Sequence, residues 1–368
     1  MNIGIDARLI METGVGRYIR NLVAELRDID THNSYVIFLP KKAFDAFVLP
    51  NSRWTKVLAD VHWHTLAEQM VMPRLFRAAH LDLVHIPYHN PPIGYQGAMV
   101  VTIHDLTILH FSTGKATTLP LPLYHLKRLG YWIELWIGLW KASHVIAVSE
   151  TTKREIMDHF RIPESRIRVT YEGVDSHLKP VLRTEKPLVT EPYALYVGNA
   201  YPHKNIETLI RAFSLLLRDH KGNDVKLILV GGDDYFYGRI RMLAKELHLE
   251  RSIVFFGSAN DGQLANLYTY ANVFVFPSRM EGFGLPSLEA LSFGCPVIAS
   301  DIPIFHEILG NNATYVDSMN SKNLSFSMVP FLKHAVTKPR APIASSKHFS
   351  WSHMAQETLL IYENSVRV

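Results

Sequence analysis

Two glutamates, Glu281 and Glu289, stand with seven residues between them and share the stretch with a glycine-rich loop, Gly282-Phe283-Gly284-Leu285. The apolar run Val273–Phe276 just before them reads as a buried strand. Pro286 suits the first turn of a helix, which places Glu289 just inside that helix. Backbone amides at a helix N-terminus hold anions. Two carboxylates beside an anion site are out of place if the anion is the whole ligand. They fit a phosphate with neutral, hydroxyl-rich groups on both sides. A nucleotide sugar has that shape: ribose, diphosphate, hexose. The simpler reading is a loop carboxylate and an acid near a helix start, each common.

Other residues could do related chemistry. Gly14-Val15-Gly16-Arg17 follows a first strand and opens a helix. A dinucleotide fingerprint would need glycine at position 19, which is Ile19, and an acid after the second strand, where Pro40-Lys41-Lys42 stands. The pair therefore reads as a tight turn or as a close approach of backbone to phosphate. His104-Asp105 ends the apolar run Met99–Ile103; a histidine there is either an ordinary hydrogen-bonded loop residue or a group aimed at a ligand. Lys204, six residues after Gly198, would neutralise phosphate charge or simply cap the next helix. Trp132, Trp136 and Trp140 recur every four residues and share one helix face. Core packing is the expectation for them; the alternative is a lipid interface, flanked by Lys127, Arg128 and Lys141. No metal site is expected. Pro87 separates His85 from His89, and Asp28-Ile29-Asp30 follows a helix instead of a strand, so it reads as a helix-terminating polar loop.

These groups need strands to present them. Apolar β-branched runs at Ile3–Ile5, Tyr35–Leu39, Leu83–Ile86, Met99–Ile103, Val145–Val148 and Ile167–Val169 alternate with helical segments such as Arg17–Leu26. That pattern predicts a parallel sheet covered on both faces. Proline-rich 177–192 reads as a linker. The pattern restarts with strands at Ala194–Val197, Lys226–Val230, Ile253–Phe256, Val273–Phe276 and Val297–Ala299, and helices near Ile206–Asp219 and Arg239–Leu247. Residues 320–348 read as irregular and Ser350–Asn364 as a closing helix. The chain has 368 residues, 48% of them apolar and 20% charged, which suits two soluble α/β domains. A formal charge of +4 without a dense basic cluster argues against nucleic acid as a partner. One cysteine, Cys295, fits a reducing compartment. No signal peptide is evident, and no apolar span reaches the ~20 residues of a transmembrane helix.

The Glu-x7-Glu spacing resembles the signature of retaining family-4 glycosyltransferases with the GT-B fold. Further segments of the same resemblance, in the family's order, are Ile3-Gly-Ile-Asp-Ala-Arg8, Thr102-Ile-His-Asp-Leu106, Val145-Ile-Ala-Val-Ser-Glu-Thr-Thr-Lys153, Tyr171-Glu-Gly-Val-Asp175, Tyr196-Val-Gly-Asn-Ala-Tyr-Pro-His-Lys-Asn205 and Phe349-Ser-Trp351. The resemblance implies two Rossmann-like domains facing across a cleft. The first, 1–180, would bind acceptor; the second, 190–348, would bind donor; 349–368 would cross back to the first. It implies that His104 and Glu281 contact the transferred sugar and Glu289 the ribose. Gly14, Gly16, Asn199, His203, Lys204 and the amides of Gly282, Phe283, Gly284 and Leu285 would hold the diphosphate. Many relatives carry arginine where His203 stands, and histidine gives one donor whose charge depends on pH. The implied activity is metal-independent transfer of a hexose in bacterial surface polysaccharide assembly, with no cofactor. The subgroup style implies GDP-mannose as donor, with UDP- and dTDP-sugars open, and a glycan or lipid-linked acceptor. The implied location is the cytoplasm, with contact at the inner membrane face as an option. Two other classes fit parts of the pattern: a GT-B nucleotide-sugar epimerase, and a silent nucleotide-sugar-binding module. The retained Glu281, Glu289, Lys204 and His104 speak against silence.

Overall fold

The computed structural model describes residues 1–111, 121–174, 178, 186–219, 224–342 and 349–366, the side chains of 121–125 and 127 aside. The chain divides into two compact units. The first comprises Met1–Leu109, Thr117–Gly173 and Phe349–Val368, and the second His110–Ala116 and Val174–His348.

The first unit is built on seven parallel strands: β1 (Asn2–Asp6), β2 (Ser34–Leu39), β3 (Trp54–Leu58), β4 (Leu83–Ile86), β5 (Met99–Ile103), β6 (His144–Ala147) and β7 (Ile167–Val169). Their order is β3-β2-β1-β4-β5-β6-β7. The central strands are buried along their length and mostly apolar, His85 and Thr102 being the polar members of β4 and β5. Helix Gly14–Ile29 buries Tyr18, Ile19, Leu22, Val23 and Leu26, a stripe at helical spacing. The closing helix Trp351–Val366 packs on that helix and on β4 and β5. Tyr362 Oη lies 2.6 Å from His85 Nδ1, and Ser365 Oγ lies 2.8 Å from His144 Nδ1. The C-terminal segment is thereby tied into the first unit.

The second unit holds six parallel strands: β8 (Tyr193–Val197), β9 (Lys226–Val230), β10 (Ile253–Gly257), β11 (Val273–Phe276), β12 (Val297–Ser300) and β13 (Ala313–Val316). Their order is β10-β9-β8-β11-β12-β13. In each sheet the chain winds outward one way from its first strand, then crosses over and winds the other way. The crossover lies between β1 and β4 in one sheet and between β8 and β11 in the other. Ligands of such folds bind outside the carboxyl ends of the strands at that crossover.

Three sequence expectations need correction or restriction. Residues 320–348 are not irregular throughout, since Ser321–Met328 is a helix whose N-cap, Asn320, accepts from Lys322 and Asn323 amides. Residues 343–348 and half of the expected linker, 177 and 179–185, lie outside the described residues, as does the side chain of Lys127. The tryptophans of helix Leu121–Lys141 are not core: Trp132, Trp136 and Trp140 are 38%, 42% and 41% exposed. The helix buries the neighbouring stripe instead, Tyr131, Leu135 and Leu139. A four-residue spacing marks one helix face but does not say whether that face is the buried one. Among the described residues, no helix is long and apolar enough to cross a membrane.

Candidate functional site

In the second unit the sequence-predicted residues gather at the carboxyl ends of β8 and β11, the crossover of that sheet. After β8 the chain turns through Gly198, whose φ of 151° suits glycine. It then forms a single helical turn, Pro202–Lys204. Asn205 follows in the left-handed region, φ 59°. Its amide donates to Pro277 O at 3.1 Å and Ser318 O at 2.9 Å. The amide of Arg279 donates to His203 O at 2.7 Å. These tethers lock the Lys204 loop against the loop after β11. There Lys204 Nζ donates to both oxygens of Glu281, at 2.6 and 2.8 Å. The two side chains are only 15% and 9% exposed, so the pair is shielded. Asn199 is fixed nearby: its carbonyl accepts from Tyr196 Oη at 2.7 Å. His203 is buried and its ring is tilted at 50° to that of Tyr201, centroids 6.0 Å apart.

Gly282, Phe283, Gly284 and Leu285 are buried, and Gly284, φ 88°, starts helix Leu285–Ser292. A Cβ on Gly284 would meet Phe305 at 3.0 Å as well as straining the backbone. Pro286 lies in the first turn, as its sequence position implied. Glu289 is almost fully buried and accepts from Tyr268 Oη at 2.9 Å. Burial of an unpaired carboxylate is costly, so this hydroxyl is part of what keeps Glu289 there. Sequence reasoning gave no site role to Tyr268, Asn205, Ser278 or Ser300. The Oγ atoms of Ser278 and Ser300 are buried without hydrogen-bond partners, just after β11 and at the end of β12. The Lys204-Asn205 pairing was visible in the sequence; the serines and Tyr268 carry no local signal.

The remaining sequence-predicted residues belong to the first unit. Gly14 and Gly16 open helix Gly14–Ile29. A Cβ on Gly16 would lie 2.7 Å from Ile10 O and 2.8 Å from Leu9 O. Glycine there is required by the returning backbone, whatever ligand it also serves. Gly14 has open space around it. His104 follows β5. Its Nδ1 lies 3.0 Å from Glu172 Oε1 and its Nε2 3.1 Å from Pro87 O, while Tyr18 meets the ring edge-on. Because Pro87 O can only accept, Nε2 carries a hydrogen.

His85 is excluded from ligation with His89 by its bonds to Tyr362 and Thr102, and burial pushes its pKa down to about 3. Asp30, in the polar segment after the first helix, accepts from the amides of His32 and Asn33 and caps that helix. A cluster the sequence did not suggest is His64, Glu68 and Glu134, whose ligand atoms lie within 4.8 Å of one another. Arg8 Nη2 stands 2.6 Å from Glu68 Oε1, so an arginine already supplies the positive charge that a metal would bring. A surface pocket of about 370 Å³ lined by Asn2, Ser34 and Arg53 opens at the amino ends of β1, β2 and β3, the opposite edge from these groups.

Known proteins share both halves of this arrangement. The profile of the family described as "Glycosyltransferase Family 4" matches residues 13–178, and that of "Glycosyl transferases group 1" matches residues 180–340. The chain is 26% identical over 321 residues to the O-antigen chain mannosyltransferase RfbU of Salmonella typhimurium, covering 84% of this chain and 85% of that one. It is 29% identical to O-antigen chain mannosyltransferase B of Escherichia coli, covering 95% and 96%. Among solved structures, Anabaena HepE in complex with UDP and glucose superposes with a TM-score of 0.75 at 17% identity, covering 99% of this chain and all of that one. WaaG, a glycosyltransferase of lipopolysaccharide biosynthesis, superposes with a TM-score of 0.68 at 16% identity, covering 97% of this chain and 95% of that one.

Proposed function

Because the chain belongs to the group 1, family-4 glycosyltransferases and has their GT-B fold, we propose that it moves mannose from GDP-mannose, with retention of configuration, to a hydroxyl of a glycan or lipid-linked acceptor. That the protein is a hexosyltransferase of polysaccharide assembly is the coarser part, and it follows from the family and its O-antigen relatives. The observation that carries the finer reading is the shielded Lys204–Glu281 pair beside buried Glu289. It supplies one cation for a diphosphate and two carboxylates for hydroxyl groups on either side of it.

In this reading Lys204 shifts from Glu281 to the diphosphate and meets the negative charge that grows on it as the anomeric bond breaks. Glu281 then accepts hydrogen bonds from the transferred hexose. Glu289, already oriented by Tyr268, accepts from the ribose. The bond from the anomeric carbon to the phosphate oxygen breaks, and a bond to the acceptor oxygen forms on the same face. The acceptor's proton passes to the departing phosphate. His104, held by Glu172 and Pro87 O, contacts the sugar. No metal is required in this scheme, because Lys204 and the helix amides supply the positive potential.

The exposed stripe Trp132, Trp136 and Trp140 supports contact with the inner face of the cytoplasmic membrane, where indoles are favoured. The only acid of that helix, Glu134, donates nothing to this face, since it turns to Gln69 at 2.8 Å. Arg166 sits over the Trp140 ring. A lipid-linked acceptor would be met there.

A thermal-shift screen against GDP-, UDP-, dTDP- and ADP-hexoses tests the donor. GDP-mannose should raise the midpoint most. A larger rise with another nucleotide sugar replaces the mannose assignment, and no rise with any of them removes the donor site.

A further inference from the structure

Two short segments of the first unit have no part in the donor chemistry. Tyr171-Glu172-Gly173 stands where the chain leaves that unit, and Phe349-Ser350-Trp351 where it returns. The fold lays them side by side. The rings of Tyr171 and Phe349 meet edge-on, with centroids 5.3 Å apart. A Cβ on Gly173 would lie 2.3 Å from Trp351 N and 2.6 Å from the carbonyl carbon of Ser350. Glycine there lets backbone meet backbone. Glu172 stands between these two contacts and is buried. Its Oε1 lies 3.0 Å from His104 Nδ1.

The returning segment reaches the same imidazole by a second route. Tyr362 Oη lies 2.6 Å from His85 Nδ1, His85 Nε2 lies 2.7 Å from Thr102 Oγ1, and Thr102 Oγ1 lies 3.3 Å from Tyr18 Oη. All four side chains are buried. The ring of Tyr18 meets His104 edge-on at 4.9 Å and Trp351 edge-on at 6.3 Å. His104 is thereby held by Glu172 at Nδ1, by Pro87 O at Nε2 and by Tyr18 against the ring. Two of these three supports, Glu172 and Tyr18, are themselves braced by residues 349–366. A group that acts on substrate loses up to about a hundredfold in rate when it is displaced by about 1 Å, so such bracing bears on turnover and not only on folding.

We propose that Glu172 is a positioning residue of the transfer, an assignment that rests on the reading of His104 as a sugar contact. Clamped between the Tyr171–Phe349 and Gly173–Trp351 contacts, Glu172 sets the orientation of the His104 ring. The returning C-terminal segment then serves the site as well as the fold.

The test uses the full chain, with the imidazole Cε1–Hε1 signals read by NMR and the His104 signal assigned by its loss in His104→Gln. Glu172→Ala should shift that signal and lower kcat by about tenfold to a hundredfold, as for a lost hydrogen bond to a charged group. Donor KM and affinity for GDP should stay within about twofold of wild type. Glu172→Gln keeps an acceptor of the same shape, so its kcat should fall between those of wild type and Glu172→Ala. Gly173→Ala alters no group that contacts His104, yet it should shift the same signal and lower kcat, because its Cβ forces the clamp open. Phe349→Ala loosens the clamp more gently and should do the same to a smaller extent if Gly173→Ala does not fold. A merely structural glutamate would change the thermal midpoint and leave kcat of the folded enzyme alone. The inference is overturned if the His104 signal is the same in wild type and Glu172→Ala, or if it shifts while kcat stays within about twofold of wild type. A wild type that transfers no sugar would remove the transfer reading instead, and the His104 signal would still show whether Glu172 sets the ring.

Discussion

Glu281→Gln is the substitution that separates the roles proposed for the Lys204–Glu281 pair. At 2.6 Å and an effective dielectric near 20, the two charges attract by about 6 kcal/mol before desolvation is counted. Desolvation and side-chain ordering cancel most of this, leaving about 1.5–3 kcal/mol, as for a charge-assisted hydrogen bond. A diphosphate that engages Lys204 must give up part of that interaction. If it gives up half, wild type binds nucleoside diphosphate more weakly by about 0.75–1.5 kcal/mol, or roughly threefold to tenfold, than a protein without the competing carboxylate. Glu281→Gln keeps the shape and removes the charge. Titration calorimetry with GDP and UDP should therefore show tighter binding in the variant, by about threefold to tenfold. Turnover of the full donor should fall at least about tenfold, because the amide no longer accepts from the hexose as a carboxylate does. Weaker nucleotide binding in Glu281→Gln would refute the competition, and with it the idea that Lys204 changes partners during the reaction.

Three further outcomes follow from the structure. Trp136→Glu should keep the thermal midpoint and lose sedimentation with anionic liposomes; a wild type that never sediments removes the membrane contact. Glu134 is lifted to about 7 by burial first and by Glu68 second. The folded state then holds a proton that the unfolded state releases near 4.5, so stability falls as pH rises from about 4.5 to 7 and levels off above. Glu134→Gln should flatten that slope, and an unchanged midpoint profile between pH 5 and 8 would contradict it. Transfer should survive EDTA; activity lost in EDTA and restored by Mn²⁺ would contradict the electrostatic role of Lys204.

Buried central strands such as β4, β5 and β11 were legible in the sequence because they are buried along their length and, His85 and Thr102 aside, their side chains are apolar. β3 and β13 were not, and both are edge strands: Trp54-Thr-Lys-Val-Leu58 and Ala313-Thr-Tyr-Val316 are partly exposed, so their composition is mixed. The residues proposed to bind donor were legible as local motifs, because glycine, proline and glutamate at fixed offsets each answer a local backbone need. Their partners were not. Tyr268 lies 21 residues from Glu289, and Arg8 lies 60 from Glu68; only the fold joins them. The tryptophan stripe was visible as a face but not as an exposed one, since burial depends on what packs against the neighbouring stripe.

The central claim is retaining transfer from a nucleotide sugar. Its most direct measurement is proton NMR of the anomeric signal of the product formed from GDP-α-mannose and a mannose-terminated glycan acceptor. The structure-based account predicts an α-linked mannoside and release of GDP. A β-linked product, or conversion of the nucleotide sugar to its epimer without acceptor, would contradict it.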